Sequence, residues 1–464
     1  MEQYEFLKSS QATLSSDKRV LRYHMTSLGC PKNLVESEEM MAQLSISGMV
    51  LVHEPEEADL LVINTCGFIE SAKEETIDAI MDLAELRREN LQQRLVVVGC
   101  MVQRYRKEMR EELPEVDAFV GVEDKETFLN IAWEALGRKP SAPVQRFSFS
   151  YAPRLLTTPP HLAYLRISDG CFHRCSFCAI PAIRGPLRSR PMEEIMAEAK
   201  ALAAGGVKEL IIVSQDTTSY GYDLYGRFAL ADLLTRLEKI EGIEWLRLMY
   251  LYPHLVDRRL AAFFANSKKL ISYVDLPIQH GDPTILASMN RGSNDKHIRR
   301  AVHLLRSARN DLTIRTTVIV GFPGEKNQHF HNMMQLLEEM AFDRVGVFTY
   351  SREDGTPAET LPDHVSDRIK EKRYRKLVNW ASQKALEKNQ RFVGEIITVL
   401  IDRKDPDEEI YWGRYQGQAP EVDGEVMVQG AKLIVGQFAP VRITSADEDN
   451  LYGYVNVEIA SVIA

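Results

Sequence analysis

The 464-residue chain has no apolar run of about 18 residues, so no stretch of it reads as a bilayer-spanning helix. It also lacks an apolar core near its start. Met1 to Arg19 is polar, which argues against a secretory signal or a transit helix there and reads as a disordered leader. Cysteine is sparse, with six residues. An even number permits a disulfide framework, but a chain of this length builds its core without staples, and nothing marks secretion. The protein is therefore expected in the cytoplasm, where thiols stay reduced and more often bind metal. An excess of positive charge is missing too. Against 57 Lys and Arg stand 66 Asp and Glu, a formal charge of −9, which weakens any role that grips a long phosphate backbone. What remains is ordinary. With 45% hydrophobic and 27% charged residues, the composition is that of a soluble globular protein with room for roughly two to four domains.

Three of the six thiols stand together in Ser168-Asp169-Gly170-Cys171-Phe172-His173-Arg174-Cys175-Ser176-Phe177-Cys178, after the strand-like run Tyr164 to Ile167. This spacing reads first as a metal site. Iron-sulfur clusters take four thiolates, so a local set of three leaves one iron open to a small-molecule ligand. Zinc would need a fourth ligand from His173 or from farther away.

Residues 20–137 alternate strand-like runs (Arg22 to Ser27, Met49 to His53, Leu60 to Asn64, Leu95 to Val98, Ala118 to Val120) with helical periodicity, which predicts a doubly wound α/β domain. Cys30, Cys66 and Cys100 each fall at the carboxyl end of a strand, beside Gly or Pro. Any one of them alone reads equally as a small buried hydrophobe. Three at equivalent strand ends share the edge where ligands bind in such sheets, and they point to a second three-thiol cluster.

Residues 138–160 lose periodicity, carry five prolines and read as a linker. From 161 to 390, six strands alternate with helices: Ala163 to Ile167, Glu209 to Ser214, Trp245 to Tyr250, Ile271 to Leu276, Thr313 to Val320 and Arg344 to Tyr350. They predict a partial (β/α)6 barrel with its chemistry at the strand carboxyl ends, followed by a charged helix from Ser366 to Gln390 that reads as a strut to the next region. Ser214 to Thr217 and Gly321 to Glu325 lie at that mouth, where capping or turn chemistry explains them equally well. Arg184, Arg188 and Arg190 read as a solvated face, with forked binding of a carboxylate as the alternative. Residues 391–460 turn to short strands (Glu395 to Ile401, Ile410 to Arg414, Glu425 to Val428, Val441 to Ser445, Val455 to Ile459), predicting a small antiparallel β-barrel of the OB-like kind. That region holds 6 basic and 13 acidic residues, which favours a basic protein partner over phosphates unless the acids only solubilise loops.

The Cys-x3-Cys-x2-Cys spacing with Phe177 before its last thiol resembles the radical S-adenosylmethionine (SAM) superfamily. The three-part layout from Arg22 to Ile459 resembles the methylthiotransferase family within it, the terminal barrel being similar to a TRAM domain. That family has two main bacterial branches, one modifying a tRNA adenosine, the other an aspartate of small-ribosomal-subunit protein uS12. Gly29-Cys30-Pro31-Lys32-Asn33-Leu34-Val35-Glu36-Ser37-Glu38 and the acidic end barrel resemble the ribosomal-protein branch. Glu36, Phe172, Tyr415 and Gln418 depart from its usual Asp, Asn, Thr and Asp, which bears on the docking surface.

The resemblance implies two 4Fe-4S clusters, one on Cys171, Cys175 and Cys178 that cleaves SAM reductively, the other on Cys30, Cys66 and Cys100 that carries the methylthio group, with a second SAM supplying the methyl. It also implies Phe177, Gln215, Asp216 and Glu325 along the SAM. The expected setting is a monomer served by a reducing electron donor, with no membrane partner and no tRNA substrate. The rivals are the tRNA branch and a non-enzymatic iron-sulfur carrier.

Overall fold

The computed structural model describes residues 19–139, 153–430 and 432–455, so the expected leader lies, but for Arg19, outside the described residues. Strands β1 (Arg22–Ser27), β2 (Val50–Leu51), β3 (Leu60–Thr65), β4 (Arg94–Gly99) and β5 (Ala118–Gly121) form a parallel sheet in the order β2-β1-β3-β4-β5. Their side chains alternate between two cores, as the two-residue period requires. Tyr23, Leu60, Val62, Val96 and Val98 pack under helices Pro31–Ile46 and Phe128–Ala135. Leu61, Ile63, Leu95 and Val97 pack under Glu70–Glu89 and Cys100–Glu112 on the other face. Helices on both faces make the sheet doubly wound.

Six parallel strands follow, β6 (Leu162–Arg166), β9 (Glu209–Val213), β10 (Trp245–Leu248), β11 (Leu270–Asp275), β12 (Thr313–Val320) and β13 (Arg344–Thr349), with the two-residue pair β7 (Ser168–Asp169) and β8 (Arg188–Ser189) beside the cysteine loop. The sheet stays open between β6 and β13. Its outer face meets the helices in one large core, while its inner face, with Tyr164, Ile211, Val213, Met249 and Tyr273, is filled by Val35 from the first domain and Ala419 from the last. An apolar concave surface cannot stay wet, and the other two domains cover it.

The terminal strands β14 (Ile396–Lys404), β15 (Ile410–Arg414), β16 (Val426–Gln429), β17 (Phe438–Ala446) and β18 (Leu451–Tyr454) close into a barrel. Four pairings are antiparallel, while β16 and β18 run parallel. The last strand begins upstream of the expected Val455 to Ile459, of which residues 456–459 lie outside the described residues.

Burial bears on two expectations. Residues 140–152 of the expected linker lie outside the described residues, but the part from Pro153 onward is tied down. The Arg154 side chain is only 3% exposed and pairs with Glu38 and Glu198, each at 2.6 Å, so it clamps the first domain to the barrel. Arg184 and Arg190 are not a solvated face either. Both are 2% exposed, and only Arg188 of the three is exposed. Residue type set the expectation, but partners supplied from distant segments decided the burial.

Candidate functional site

β1, β3 and β4 are sheet neighbours with Ser27 opposite Asn64 and Thr65 opposite Gly99, so the residues that follow them emerge side by side. Those residues carry Cys30, Cys66 and Cys100. Each stands next to a glycine placed where another turn of the site passes close by. A Cβ on Gly29 would lie 2.8 Å from Cys66 Cβ, one on Gly67 2.8 Å from Met101 Cα, and one on Gly99 2.3 Å from Asn64 Oδ1. The glycines thus permit the close approach of the three thiol-bearing turns. Asn33 laces them together, with Nδ2 donating to the carbonyls of Leu28 (3.1 Å) and Thr65 (2.9 Å) and Oδ1 accepting from Cys100 Sγ (3.7 Å), while Asn64 Nδ2 donates back to the Asn33 carbonyl at 2.9 Å.

The electrostatics separate the three thiols. Burial works to raise Cys30, but Lys32 and Arg184 outweigh it and leave this thiol below its ordinary value. Burial raises Cys66 with help from Cys30, and burial pushes Cys100 up to about 12 against the pull of Arg184. A bound cation such as a cluster iron favours the thiolate form that this burial opposes. Among the described residues no three thiol, imidazole or carboxylate groups already form a metal-ligating group.

Gly99 offers a direct test, because its φ of +100° and its contacts both refuse a side chain. Gly99→Ala is expected to destabilise the protein by about 1–3 kcal/mol and to lower the iron bound after anaerobic reconstitution by about half. Gly206→Ala, at φ +97° with open space around it, should be strained without losing iron. Iron and sulfide assays on the two variants decide the point.

The second set follows β6, at the mouth of the open barrel. Gly170 turns the chain at φ +68°, with no room for a Cβ against Pro186 O, and the Cys171 amide donates to the Gly185 carbonyl at 3.2 Å. The loop is pinned by residues 288–291. The Ser176 amide donates to Met289 O (2.9 Å), Asn290 Nδ2 donates to Arg174 O (2.6 Å), and Arg291 Nη1 lies 3.5 Å from Cys175 Sγ. Burial pushes Cys171 and Cys178 up to about 12, and the neighbouring thiols add to it. His173 reaches Asp216 Oδ2 at 2.7 Å and stacks on Tyr252 with ring centres 3.8 Å apart.

The remaining sequence candidates take different places. Phe177 packs beside Ile285, Met289, Phe322 and Tyr350 in an apolar cluster next to the loop. Gln215 donates to Asp169 Oδ1 at 3.2 Å, and its Oε1, like Ser214 Oγ, is buried without a hydrogen-bond partner. Asp216 is engaged by its own turn, accepting from the Thr218 amide at 3.0 Å and from the Thr218 and Ser219 hydroxyls, besides His173. Glu325 folds back on Gly321, whose amide donates to it at 2.7 Å, and pairs with Arg373 at 2.8 Å.

Arg184, for which forked binding of a carboxylate is the alternative to a solvated face, forks Glu36 and joins the two sets. Arg184 Nη2 donates to Asn33 Oδ1 (2.6 Å) and Glu36 Oε2 (3.0 Å) and lies 3.4 Å from Cys100 Sγ, while Nη1 donates to Glu36 Oε1 (3.0 Å) and Asp169 Oδ1 (3.1 Å). Arg166 reaches Glu36 Oε1 at 2.7 Å and Glu39 Oε1 at 2.8 Å. Burial alone would raise Glu36, but Arg184, Lys125 and Arg166 outweigh it and hold the carboxyl at about 2. The partners were what the sequence did not give, although Asn33 and Glu36 stand three apart near the start of one helix, which puts both on one face.

A cysteine loop following the first strand of an open six-stranded parallel barrel defines a radical SAM enzyme, and residues 165–337 match the Radical SAM superfamily. Residues 22–121 match the Uncharacterized protein family UPF0004, and 393–455 the TRAM domain. Among solved structures, the radical S-adenosylmethionine methyltransferase TsrM from Kitasatospora setae, with tryptophan substrate and a SAM analogue bound, superposes at a TM-score of 0.55 with 14% identity, covering 74% of this chain and 75% of that one; this is a likeness of fold alone. The ribosomal protein uS12 methylthiotransferase RimO of Clostridioides difficile (strain 630) is 42% identical over 445 residues, 95% of this chain and 100% of that protein. The RimO of Heliobacterium modesticaldum is 43% identical over 436 residues, 93% and 95% of the two chains. The chain belongs to the RimO family of radical SAM methylthiotransferases.

Proposed function

We propose that this enzyme replaces a C–H bond on the β-carbon of an aspartate in ribosomal protein uS12 by a C–S bond to a methylthio group, in the cytoplasm, using two SAM molecules and two 4Fe-4S clusters. The observation that carries this reading is the convergence of Cys30, Cys66 and Cys100 at neighbouring strand ends, joined through Arg184 to the loop of Cys171, Cys175 and Cys178. When bound, the clusters and SAM supply one-electron hydrogen removal and a transferable methylthio group.

The chain's own residues hold and orient. Cys171, Cys175 and Cys178 hold one cluster, and Cys30, Cys66 and Cys100 the other. The unpartnered Ser214 Oγ and Gln215 Oε1 await a polar ligand, since buried polar atoms are rarely left unsatisfied. Phe177 offers adenine an apolar wall. Asp216 and Glu325 shape the SAM site through the turns they brace. Asp402 and Asp423 of the terminal barrel are engaged within the fold, whereas Asp407, Glu408, Glu409, Glu421, Glu448 and Asp449 are exposed on its loops, a charge that suits a basic protein. The names of the RimO relatives favour uS12 over tRNA as that partner.

Anaerobic turnover of the reconstituted, reduced enzyme with SAM and either uS12 or tRNA, read by mass spectrometry, tests the reading. Methylthio mass on an aspartate of uS12, with 5'-deoxyadenosine and S-adenosylhomocysteine released, is the expected result. Mass on tRNA would move the enzyme to the sister branch, and absence of both products would overturn the radical mechanism.

A further inference from the structure

Arg184 is placed unusually for a buried charge. It ends the short helix Ile180–Arg184 that follows the Cys171 to Cys178 loop, yet its guanidinium reaches across to Asn33, Glu36 and Cys100 of the first domain while also holding Asp169 of its own. Glu36 and Asp169 suffice to offset its charge, as a cation only 2% exposed requires. The fork nonetheless also reaches Asn33, which laces the three thiol-bearing turns, and the sulfur of Cys100. Donors to ligating sulfur raise the reduction potential of an iron-sulfur cluster by stabilising the added negative charge. A guanidinium also keeps its charge at every working pH and presents several donors in one rigid plane, so it can hold a carboxylate and a sulfur at once in a fixed geometry that the compact ammonium of lysine does not impose.

We infer that Arg184 is a positioning residue that bridges the two cluster-bearing segments, donates to the Cys100 sulfur, and thereby sets the reduction potential of the cluster on Cys30, Cys66 and Cys100 and its alignment with the radical site. This rests on the two-cluster reading above. Arg291, 3.5 Å from Cys175 Sγ, is placed to act on the other cluster and serves as the comparison.

The test is a redox titration followed by electron paramagnetic resonance on the full chain with both clusters reconstituted. It compares wild type, Arg184→Met, Arg184→Lys and Arg291→Lys, with deoxyadenosine and methylthiolated product counted in parallel. In both Arg184 variants the reduction equilibrium of one cluster should shift about tenfold toward the oxidised form, about 59 mV for one electron. Iron content should stay whole, SAM cleavage should continue, and product per cleavage should fall. Arg291→Lys should shift the other cluster's signal instead.

Should Arg184→Met lose the cluster outright, Arg184→Lys decides. A shifted potential at full iron content supports the inference, and an unshifted one overturns it. Both clusters present with unchanged potentials and unchanged product per cleavage in every Arg184 variant would leave the residue a structural ion pair and overturn the inference. A wild-type protein that binds a single cluster would instead overturn the two-cluster reading.

Discussion

Cys171→Ala is expected to abolish SAM cleavage and product together, whereas Cys100→Ala keeps SAM cleavage and loses product. The difference follows from the two places of the thiols. Cys171 stands on the barrel loop after β6, two residues beyond the Asp169 that Gln215 holds, and Cys100 on the neighbouring domain at the end of β4. Losing an outer partner of a metal ligand already lowers function roughly 10–100-fold, so losing a ligand should lower the affected step by more than about a hundredfold. Counting deoxyadenosine and methylthiolated product in one reaction separates the cases. Equal loss of both products in both variants would mean that the two sets do not act as separate centres.

The second large effect is on assembly of the domains. Arg414, 2% exposed in the terminal barrel, reaches Glu209 Oε2 of the central barrel at 2.8 Å and Asp402 at 2.7 Å, while Arg247 holds the other oxygen of Glu209 at 2.7 Å and His161 holds Asp402 at 2.8 Å. Arg414→Met leaves two buried carboxylates with one cationic or imidazole partner each. It should destabilise the protein by about 3–5 kcal/mol and release the terminal barrel to early proteolysis.

The effect depends on pH with a definite sign. Burial would raise both carboxyls, but Arg414 and Arg247 outweigh it for Glu209, and the His161 bond and Arg414 do so for Asp402, so both are depressed. Depressed carboxyls contribute stability that is present above the unfolded value of about 4 and is lost as pH falls through the folded value. Wild type should therefore weaken steadily on acidification below about pH 4, with a shallower slope in Arg414→Met. Denaturant titrations of both proteins at several pH values measure it, and identical slopes would refute the assignment.

The sequence by itself determined the secondary elements, their grouping into three domains' worth of pattern, and the position of each thiol at a strand's carboxyl end. These are set by near neighbours. β1, β12 and β15 begin and end where alternation and turn residues place them, because apolar period and glycine or proline punctuation act over a few residues. Parallel pairing then puts Cys30, Cys66 and Cys100 on one edge with little further information. Only the tertiary structure decided which charges are buried. Arg154, Arg184 and Arg414 look in sequence like any solvated arginine, and their burial depends on Glu38, Glu36 and Glu209, each more than about a hundred positions away in the chain. It also decided that the open barrel is filled by Val35 and Ala419, two unremarkable apolar residues from separate domains. A buried charge or a filled groove is a property of partners, and partners far apart in sequence are chosen by packing.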